Sequence, residues 1–310
     1  MAGLFCPGAQ LIHCGGDEIS AFGGTPRAGR RIREEGISPY YVRFVNRLAK
    51  AFAARGVRVA IWSDMLIRYP EAIDELDRSV VIFYWDYWGY GERTPFVSLG
   101  GGLPNMILLD RSALEGDPYK FFLSSWPRPP QEMPIGHIRR FASYWDWKEG
   151  DRSARSFPYA QWFRDLGFTV IGGLMTYPEK GSFLPDFLGK FSHVRHFARR
   201  LHEAGAVGAM ACLWQPHWPL LETAMPGFAA ASRLLDAPDS TDDAIVESVA
   251  ADLGAPWTGD AVRRFLGAGR TFEAADTMNV EWDAQRPLAR RFEDLRQAGE
   301  WEADMALCCG

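Results

Sequence analysis

The stretch AQLIHCGGDE, residues 9–18, is the starting point for predicting the fold of the rest of the chain. Its first half, residues 9–13, is short and mostly apolar, which predicts a buried strand. Two glycines follow, and then the acid pair Asp17 and Glu18, so the acids stand at the carboxyl end of that strand. A solvated turn is the alternative. Gly15 and Gly16 permit a tight turn through which two consecutive acids can face one pocket, whereas an extended chain points them to opposite sides.

Strand-like and helix-like segments alternate from this stretch to about residue 235. Parallel neighbours need crossover connections, so the alternation predicts a parallel sheet in an α/β domain over residues 1–235. The predicted strands are residues 9–13, 57–62, 80–85, 169–171 (within 168–177) and 206–214. The predicted helices are residues 39–55 (capped by Ser38 and stopped by Gly56), 70–76, 192–204 and 226–235.

Two segments depart from this alternation. Residues 91–157 are rich in glycine, proline and aromatic residues, which predicts long loops with one strand near residues 106–109. Beyond residue 236 no strand pattern stands out, and residues 244–253, 260–266 and 287–297 predict helices. We therefore expect residues 236–310 to form a helical C-terminal region.

The composition narrows the possible partners. The chain has 310 residues and a formal net charge of −5, and it has no lysine- and arginine-rich run of the kind that binds nucleic acid. No apolar run approaches the ~20 residues that cross a bilayer, so no membrane partner is expected. The N-terminus has no charged leader before an apolar core, so no signal peptide is predicted and a cytoplasmic location is the default. Five cysteines without a CxxC pair indicate neither a disulfide framework nor a zinc cluster.

Aromatic residues stand at the ends of several predicted strands. Three of the twelve tryptophans, Trp62, Trp85 and Trp214, close strands, and Tyr177 closes a fourth. Catalytic groups of parallel α/β barrels gather at the carboxyl ends of their strands. The pattern predicts a pocket with aromatic walls and one acid pair, although tryptophan is also a common core residue.

The segment His13-Cys14-Gly15-Gly16-Asp17-Glu18 resembles the H-x-G-G-D-E signature of glycoside hydrolase family 20, the β-N-acetylhexosaminidases. The resemblance extends in strand order over roughly residues 9–235. It implies a partial (β/α)8 TIM-type barrel whose five strands are the fourth to the eighth, followed by the helical appendage. Only twelve residues precede His13, so we expect either a fragment of such a domain or a chain that pairs with something else.

The resemblance also implies roles for the acids. Glu18 would be the general acid, and Asp17 would stabilise the substrate's 2-acetamido group as it acts as the nucleophile, an exception to the usual two-carboxylate scheme. As adjacent like charges, the two acids are expected to raise the pKa of one member, which keeps a carboxylic acid protonated nearer to neutral pH. No cofactor or metal is expected, and the expected partner is an amino-sugar glycoside.

The same resemblance implies further substrate contacts. Trp62, Trp85 and Trp214 would enclose the sugar, Tyr177 would bond the acetamido oxygen, and His13 would pack beneath the acids. Gln215 and Pro216 follow Trp214, where the family usually has an acid. Glu179 or Glu222 is therefore expected to bind the outer hydroxyl groups.

Several alternatives stay open at this point. The residues His13, Cys14, Asp17 and Glu18 could be metal ligands, although their spacing fits no common site. Asp64 could support the site from behind or simply begin a helix, and residues 145–147 (WDW) could line the pocket or pack a loop. As a whole, the chain could be an inactive fragment or a carbohydrate-binding remnant of such an enzyme. The sequence does not decide the oligomeric state.

Overall fold

The computed structural model describes residues 8–20, 22–102, 105–116, 119, 127–176, 187–213, 221–254 and 256–267. These residues fall into two compact units. The first comprises those within 1–173 and 200–210, and the second comprises those within 174–199 and 211–310. The predicted domain boundary at residue 235 stays a prediction.

A five-stranded sheet includes the strand that precedes the acid pair Asp17 and Glu18. Its strands lie in chain order as β1 (Leu11–His13), β2 (Arg58–Trp62), β3 (Val81–Trp85), β8 (Thr169–Met175) and β9 (Gly208–Cys212). The first four are parallel neighbours: Ile12 pairs with Val59, and Ile82 pairs with Val170. All five predicted strands are therefore present, and the α/β class with a parallel sheet is confirmed. The expected burial of the first strand is wrong, because β1 lies at the edge of the sheet, where Leu11 and His13 are exposed and Ile12 is half-buried.

The sheet is parallel because helices connect its strands. The polypeptide passes from β1 through α1 (Pro26–Glu35) and α2 (Ile37–Ala53) to β2, and then through α3 (Asp64–Arg68) to β3. Helix α2 buries Val42, Val45 and Ala49, none of which is more than 3% exposed. Strand β2 is buried from Val59 onwards, which is typical of a strand covered on both faces.

Three details of these connections differ from the predictions. Ser38 is not a cap but lies inside α2, where its hydroxyl donates to the Tyr69 carbonyl at 2.7 Å and accepts the Ala72 N–H at 2.9 Å. Helix α1 was not predicted, because it is polar and has no buried residue. The helix expected at residues 70–76 lies earlier, as α3, and only a 3-10 turn at Ile73–Glu75 occupies the predicted place.

Residues 91–157 form two small antiparallel pairs and a helix rather than long loops alone. Strand β4 (Arg93–Thr94) pairs with β7 (Ala154–Arg155), and β5 (Phe96–Ser98) pairs with β6 (Met106–Leu108), the strand predicted near residues 106–109. Helices α4 (Ile135–Trp145) and α5 (Tyr159–Asp165) complete the part of the chain described before β8.

The aromatic residues of this region pack with one another. Trp145 is fully buried and donates its indole N–H to the Tyr159 hydroxyl at 3.0 Å. Asp146 forms an ion pair with Arg93 at 2.7 Å, and the Trp147 indole donates to the Asp151 carbonyl at 3.1 Å. Of the two alternatives for residues 145–147, the structure favours packing, so part of the tryptophan content serves the core.

The second unit is mainly helical. It contains most of α6 (Phe191–Ala204), then α7 (Leu221–Asp236), α8 (Asp242–Leu253) and α9 (Gly259–Leu266). Pro226, expected to begin a helix, lies inside α7. The helices predicted at residues 244–253 and 260–266 are present, whereas the one predicted at residues 287–297 lies outside the described residues. In the described part of the chain, no helix is both long and apolar enough to cross a membrane.

Gly227 in α7 provides a test of packing in this unit. A Cβ at Gly227 would overlap the buried Phe187 ring, whereas a Cβ at Gly136 in α4 would have no heavy atom within 4 Å. We expect Gly227→Ala to lower the free energy of unfolding by about 1–3 kcal/mol through overpacking. As the matched control, Gly136→Ala should leave it unchanged or raise it by up to about 1 kcal/mol. Urea unfolding of both variants checks this, and equal effects would contradict the packing.

Candidate functional site

The segment after β1 is a tight turn whose geometry depends on its glycines. We call residues 14–18 the signature turn. Gly15 and Gly16 have φ angles of 69° and 87°, in the left-handed region that favours glycine. The His13 Nδ1 accepts the Gly15 N–H at 3.1 Å, and the Tyr41 hydroxyl donates to the Gly16 carbonyl at 3.0 Å. A Cβ at Gly16 would lie 2.7 Å from that hydroxyl oxygen, so the approach of α2 excludes a side chain there.

The two acids of the turn are exposed to solvent. Asp17 and Glu18 both lie at the surface of the described residues. The backbone of Glu18 is nevertheless fixed, because its N–H donates to Asp64 Oδ2 at 2.7 Å. Gly102 approaches the Glu18 side chain closely enough that a Cβ there would lie 3.3 Å from Oε1. Glu18 thus combines an accessible carboxyl group with a constrained main chain.

Asp64 is the buried carboxyl behind the turn. It is 2% exposed, and its Oδ1 accepts the Trp85 indole N–H over an N–O distance of 3.4 Å, whereas Oδ2 accepts the Glu18 N–H. Burial raises the pKa of Asp64 from its ordinary value near 3.8 to about 6, with a smaller contribution in the same direction from the negative charge of Asp17. Asp64 is also the first residue of α3. The helix-start alternative is therefore confirmed, and the supporting role in a site stays a prediction.

His13 packs against aromatic rings at the base of the turn. Its ring centroid lies 4.6 Å from that of Trp62 and 4.7 Å from that of Phe83, the latter edge to face. Partial burial lowers the pKa of His13, and the charge of Asp17 opposes this shift. Because Nδ1 accepts a hydrogen bond, the neutral ring carries its proton on Nε2.

The two described tryptophans of the predicted pocket differ in exposure. Trp62 is only 7% exposed, and a Cβ at Gly173 would lie 3.0 Å from its ring, so most of its surface is used in packing. Trp85 is half-buried and stacks on Tyr87 with a centroid distance of 4.9 Å and an interplanar angle of 30°. Of the pair, Trp85 retains more surface for contact with a ligand.

Four of the predicted contacts lie beyond what the structure describes. Tyr177, Glu179 and Trp214 fall outside the described residues, and the side chain of Glu222 is not described. Their expected roles stay predictions. The structure brings Asp17, Glu18, His13, Trp62 and Trp85 together with Asp64 at the carboxyl ends of β1, β2 and β3.

The metal alternative gains no support from the described residues. Among them, no group of three or more histidine, cysteine, aspartate or glutamate side chains is placed to hold a metal ion. Burial raises the pKa of the Cys14 thiol, which disfavours the thiolate form that binds metals.

A second buried acid, Asp86, was not singled out from the sequence, and we do not assign it to the site. It follows Trp85 and accepts the Trp88 N–H at 3.1 Å and the Tyr84 hydroxyl at 3.3 Å. Burial raises the pKa of Asp86 to about 6. The available signal was an acid inside the aromatic run YWDYW, although a solvated loop gives the same pattern.

Fold and site together define an α/β protein that places acids and aromatic rings at the carboxyl ends of parallel strands, where such proteins carry their chemistry. Residues 1–98 match the family profile described as "Glycosyl hydrolase family 20, catalytic domain". The matched segment includes the signature turn, Trp62, Asp64 and Trp85, and over these residues the predicted family is confirmed. The match also supports the glycoside hydrolase class. No curated protein matches the chain.

The raised pKa of Asp64 predicts a pH dependence of stability. Between pH 4 and 6 the folded protein binds more protons at Asp64 than the unfolded chain does, so the free energy of unfolding falls as the pH rises through this window. A shift from 3.8 to about 6 corresponds to a loss of up to about 3 kcal/mol, complete above the folded pKa. Asp64→Asn removes this loss.

Urea unfolding at pH 4, 5, 6 and 7 measures the effect. The stability of Asp64→Asn relative to the unsubstituted protein should rise with pH across the window. A constant difference would show that Asp64 does not titrate with a raised pKa in the folded protein.

Proposed function

We propose that this protein hydrolyses terminal N-acetyl-β-hexosaminides by substrate-assisted, retaining catalysis. The observation that carries the proposal is the signature turn itself, which presents Asp17 and Glu18 side by side at the carboxyl end of β1 within the segment that matches the family. In the corresponding barrel, β1, β2, β3, β8 and β9 are strands four to eight. The substrate class and the roles below extend the glycoside hydrolase class to particular residues.

Glu18 acts as the general acid in this proposal. Its carboxyl group is accessible to solvent, so the oxygen of a leaving group can reach it. As the bond from the anomeric carbon to that oxygen breaks, Glu18 gives its proton to the oxygen, and the acetamido carbonyl oxygen of the substrate forms a new bond to the anomeric carbon. In the second step Glu18 accepts a proton from water, which attacks the same carbon and opens the cyclic intermediate.

Asp17 acts on the nucleophile. Its carboxylate accepts a hydrogen bond from the acetamido N–H and stabilises the positive charge that spreads over the cyclic intermediate. Trp85 contributes an apolar wall for the sugar, and Trp62 supports it from the packed side. Tyr177, Trp214 and either Glu179 or Glu222 complete the proposed contacts to the acetamido group and the outer hydroxyl groups.

A carbohydrate-binding remnant without activity is the second candidate. The exposure of both Asp17 and Glu18 favours it, because the protein alone does not enclose these two carboxyl groups away from water. The two candidates differ in turnover and share sugar binding, so measuring both quantities separates them.

Glu18→Gln tests the proposed acid. We expect kcat for an alkyl N-acetyl-β-glucosaminide to fall by about 10²- to 10⁴-fold, the usual contribution of general acid catalysis. The loss should be smaller for a nitrophenyl glycoside, whose leaving group needs little protonation. Asp17→Asn should instead reduce turnover of both substrates alike, because the acetamido group acts in each.

Glu149→Gln, at an exposed acid outside the signature turn, is the matched control and should leave kcat unchanged. Equal activity of Glu18→Gln and the unsubstituted protein would refute the proposed acid. Sugar binding without turnover in the unsubstituted protein would support the remnant instead.

A further inference from the structure

One buried carboxylate links two residues of the proposed site that come from different strands. Asp64 follows β2, and its two oxygens accept the Glu18 N–H from the signature turn at 2.7 Å and the Trp85 indole N–H from the end of β3 at 3.4 Å. Both donors are neutral, and Asp64 is 2% exposed. The shorter contact has the length of a charge-assisted hydrogen bond, whereas the longer one is weak.

Glu18 needs such a contact because its backbone is strained. Its φ angle is 46°, in the left-handed region, which non-glycine residues seldom adopt. Strained conformations of this kind persist only where the surroundings determine them. The bond from the Glu18 N–H to Asp64 fixes the peptide unit that enters this conformation, and thereby the direction in which the Glu18 side chain leaves the turn.

Residues 100–102, which we call the glycine segment, pack against both Asp64 and Glu18. Gly100 has a φ angle of 89°, and a Cβ there would overlap the Asp64 carbonyl oxygen. Gly102 lies beside Glu18 Oε1, where a Cβ would come within 3.3 Å. The backbone of this loop therefore packs closely against the main chain of Asp64 and beside the Glu18 carboxyl group.

We propose that Asp64 is a positioning residue whose ionised carboxylate orients the Glu18 backbone and the Trp85 ring relative to each other. The proton donor Glu18 and the aromatic wall formed by Trp85 can then contact the same sugar. This inference rests on the proposed function, because it assigns Asp64 a part in that reaction. Asp64 acts through Glu18 and Trp85 and does not itself touch the substrate.

The charge of Asp64 gives the proposal a pH signature. The groups that face it are Asp17 and Glu18 from the signature turn, Tyr41 from α2 and Trp85 from β3, and Arg68 lies on its own helix. The glycine segment brings only backbone. When Asp64 is protonated, one of its two acceptor oxygens becomes a donor, and the bonds to Glu18 and Trp85 weaken. The contribution of Asp64 to activity therefore decreases as the pH falls through about 6.

Asp64→Asn is the informative variant. An asparagine offers one acceptor oxygen where aspartate offers two, and it cannot ionise, so either Glu18 or Trp85 loses its partner. We expect kcat to fall by about 10- to 100-fold with a smaller change in KM, as for a misplaced catalytic group. The acid limb near pH 6 in the pH profile of kcat should be lost, while stability at pH 7 should not fall in parallel.

Asp86→Asn is the matched control. Asp86 is also buried, its pKa is also raised to about 6, and it follows directly after Trp85, but its carboxylate accepts hydrogen bonds from Tyr84, Trp88 and Gly89. This variant should change the pH dependence of stability without changing the pH profile of kcat. Unchanged kcat and pH profile in Asp64→Asn, or equal kinetic effects of the two variants, would overturn the proposal.

A measurement without substrate separates this proposal from the proposed function. The amide proton of Glu18 should shift in nuclear magnetic resonance spectra with an apparent pKa near 6, and the shift should vanish in Asp64→Asn. An amide that does not titrate overturns the positioning role whatever the activity. A titrating amide in a protein that hydrolyses no N-acetyl-β-hexosaminide refutes the proposed function and leaves the Asp64–Glu18 contact intact.

Discussion

The site depends on a buried carboxylate that has to be satisfied by hydrogen bonds. A charged group that leaves water without partners is strongly destabilising. Asp64 finds its partners in the Glu18 N–H and the Trp85 indole, which belong to segments that the parallel sheet brings side by side. Since the bond that satisfies Asp64 at the shorter distance also holds the acid turn, and the weaker one reaches an aromatic side chain of the next strand, folding of the sheet and assembly of the site are coupled.

The burial of Asp64, which its proposed role requires, lowers the stability of the folded protein. Burial raises the pKa of Asp64 to about 6, so at neutral pH the protein holds a carboxylate in a place that favours the protonated form. The negative charge of Asp17 adds to that cost, and Tyr41 shares the same crowded environment. Buried groups with shifted pKa values cluster at functional sites because catalytic groups need pKa values matched to their task.

Much of the fold and most of the site residues could be predicted from local pattern, whereas the contacts between those residues could not. The periodic helix α2 and the β-branched strand β3 can be recognised from a few residues, because their apolar positions repeat. The polar helix α1 buries nothing, and α3 is too short to show a period. Asp64 and Glu18 are separated by 46 positions, so their contact exists only once the parallel strands are aligned. Asp86 was missed for a similar reason, since its burial comes from tertiary packing around an aromatic run.

The exposed acids and the buried acid have different roles in the proposed reaction. Asp17 and Glu18 lie at the surface, so the protein alone does not desolvate them. A bound sugar would exclude water from the Glu18 carboxyl at the moment when proton transfer requires it. The backbone that carries this carboxyl is already held by Asp64, so little reorganisation remains for the binding step. Preorganisation is therefore a property of the folded chain and desolvation a property of the complex, which reconciles an accessible general acid with the fixed geometry that catalysis needs.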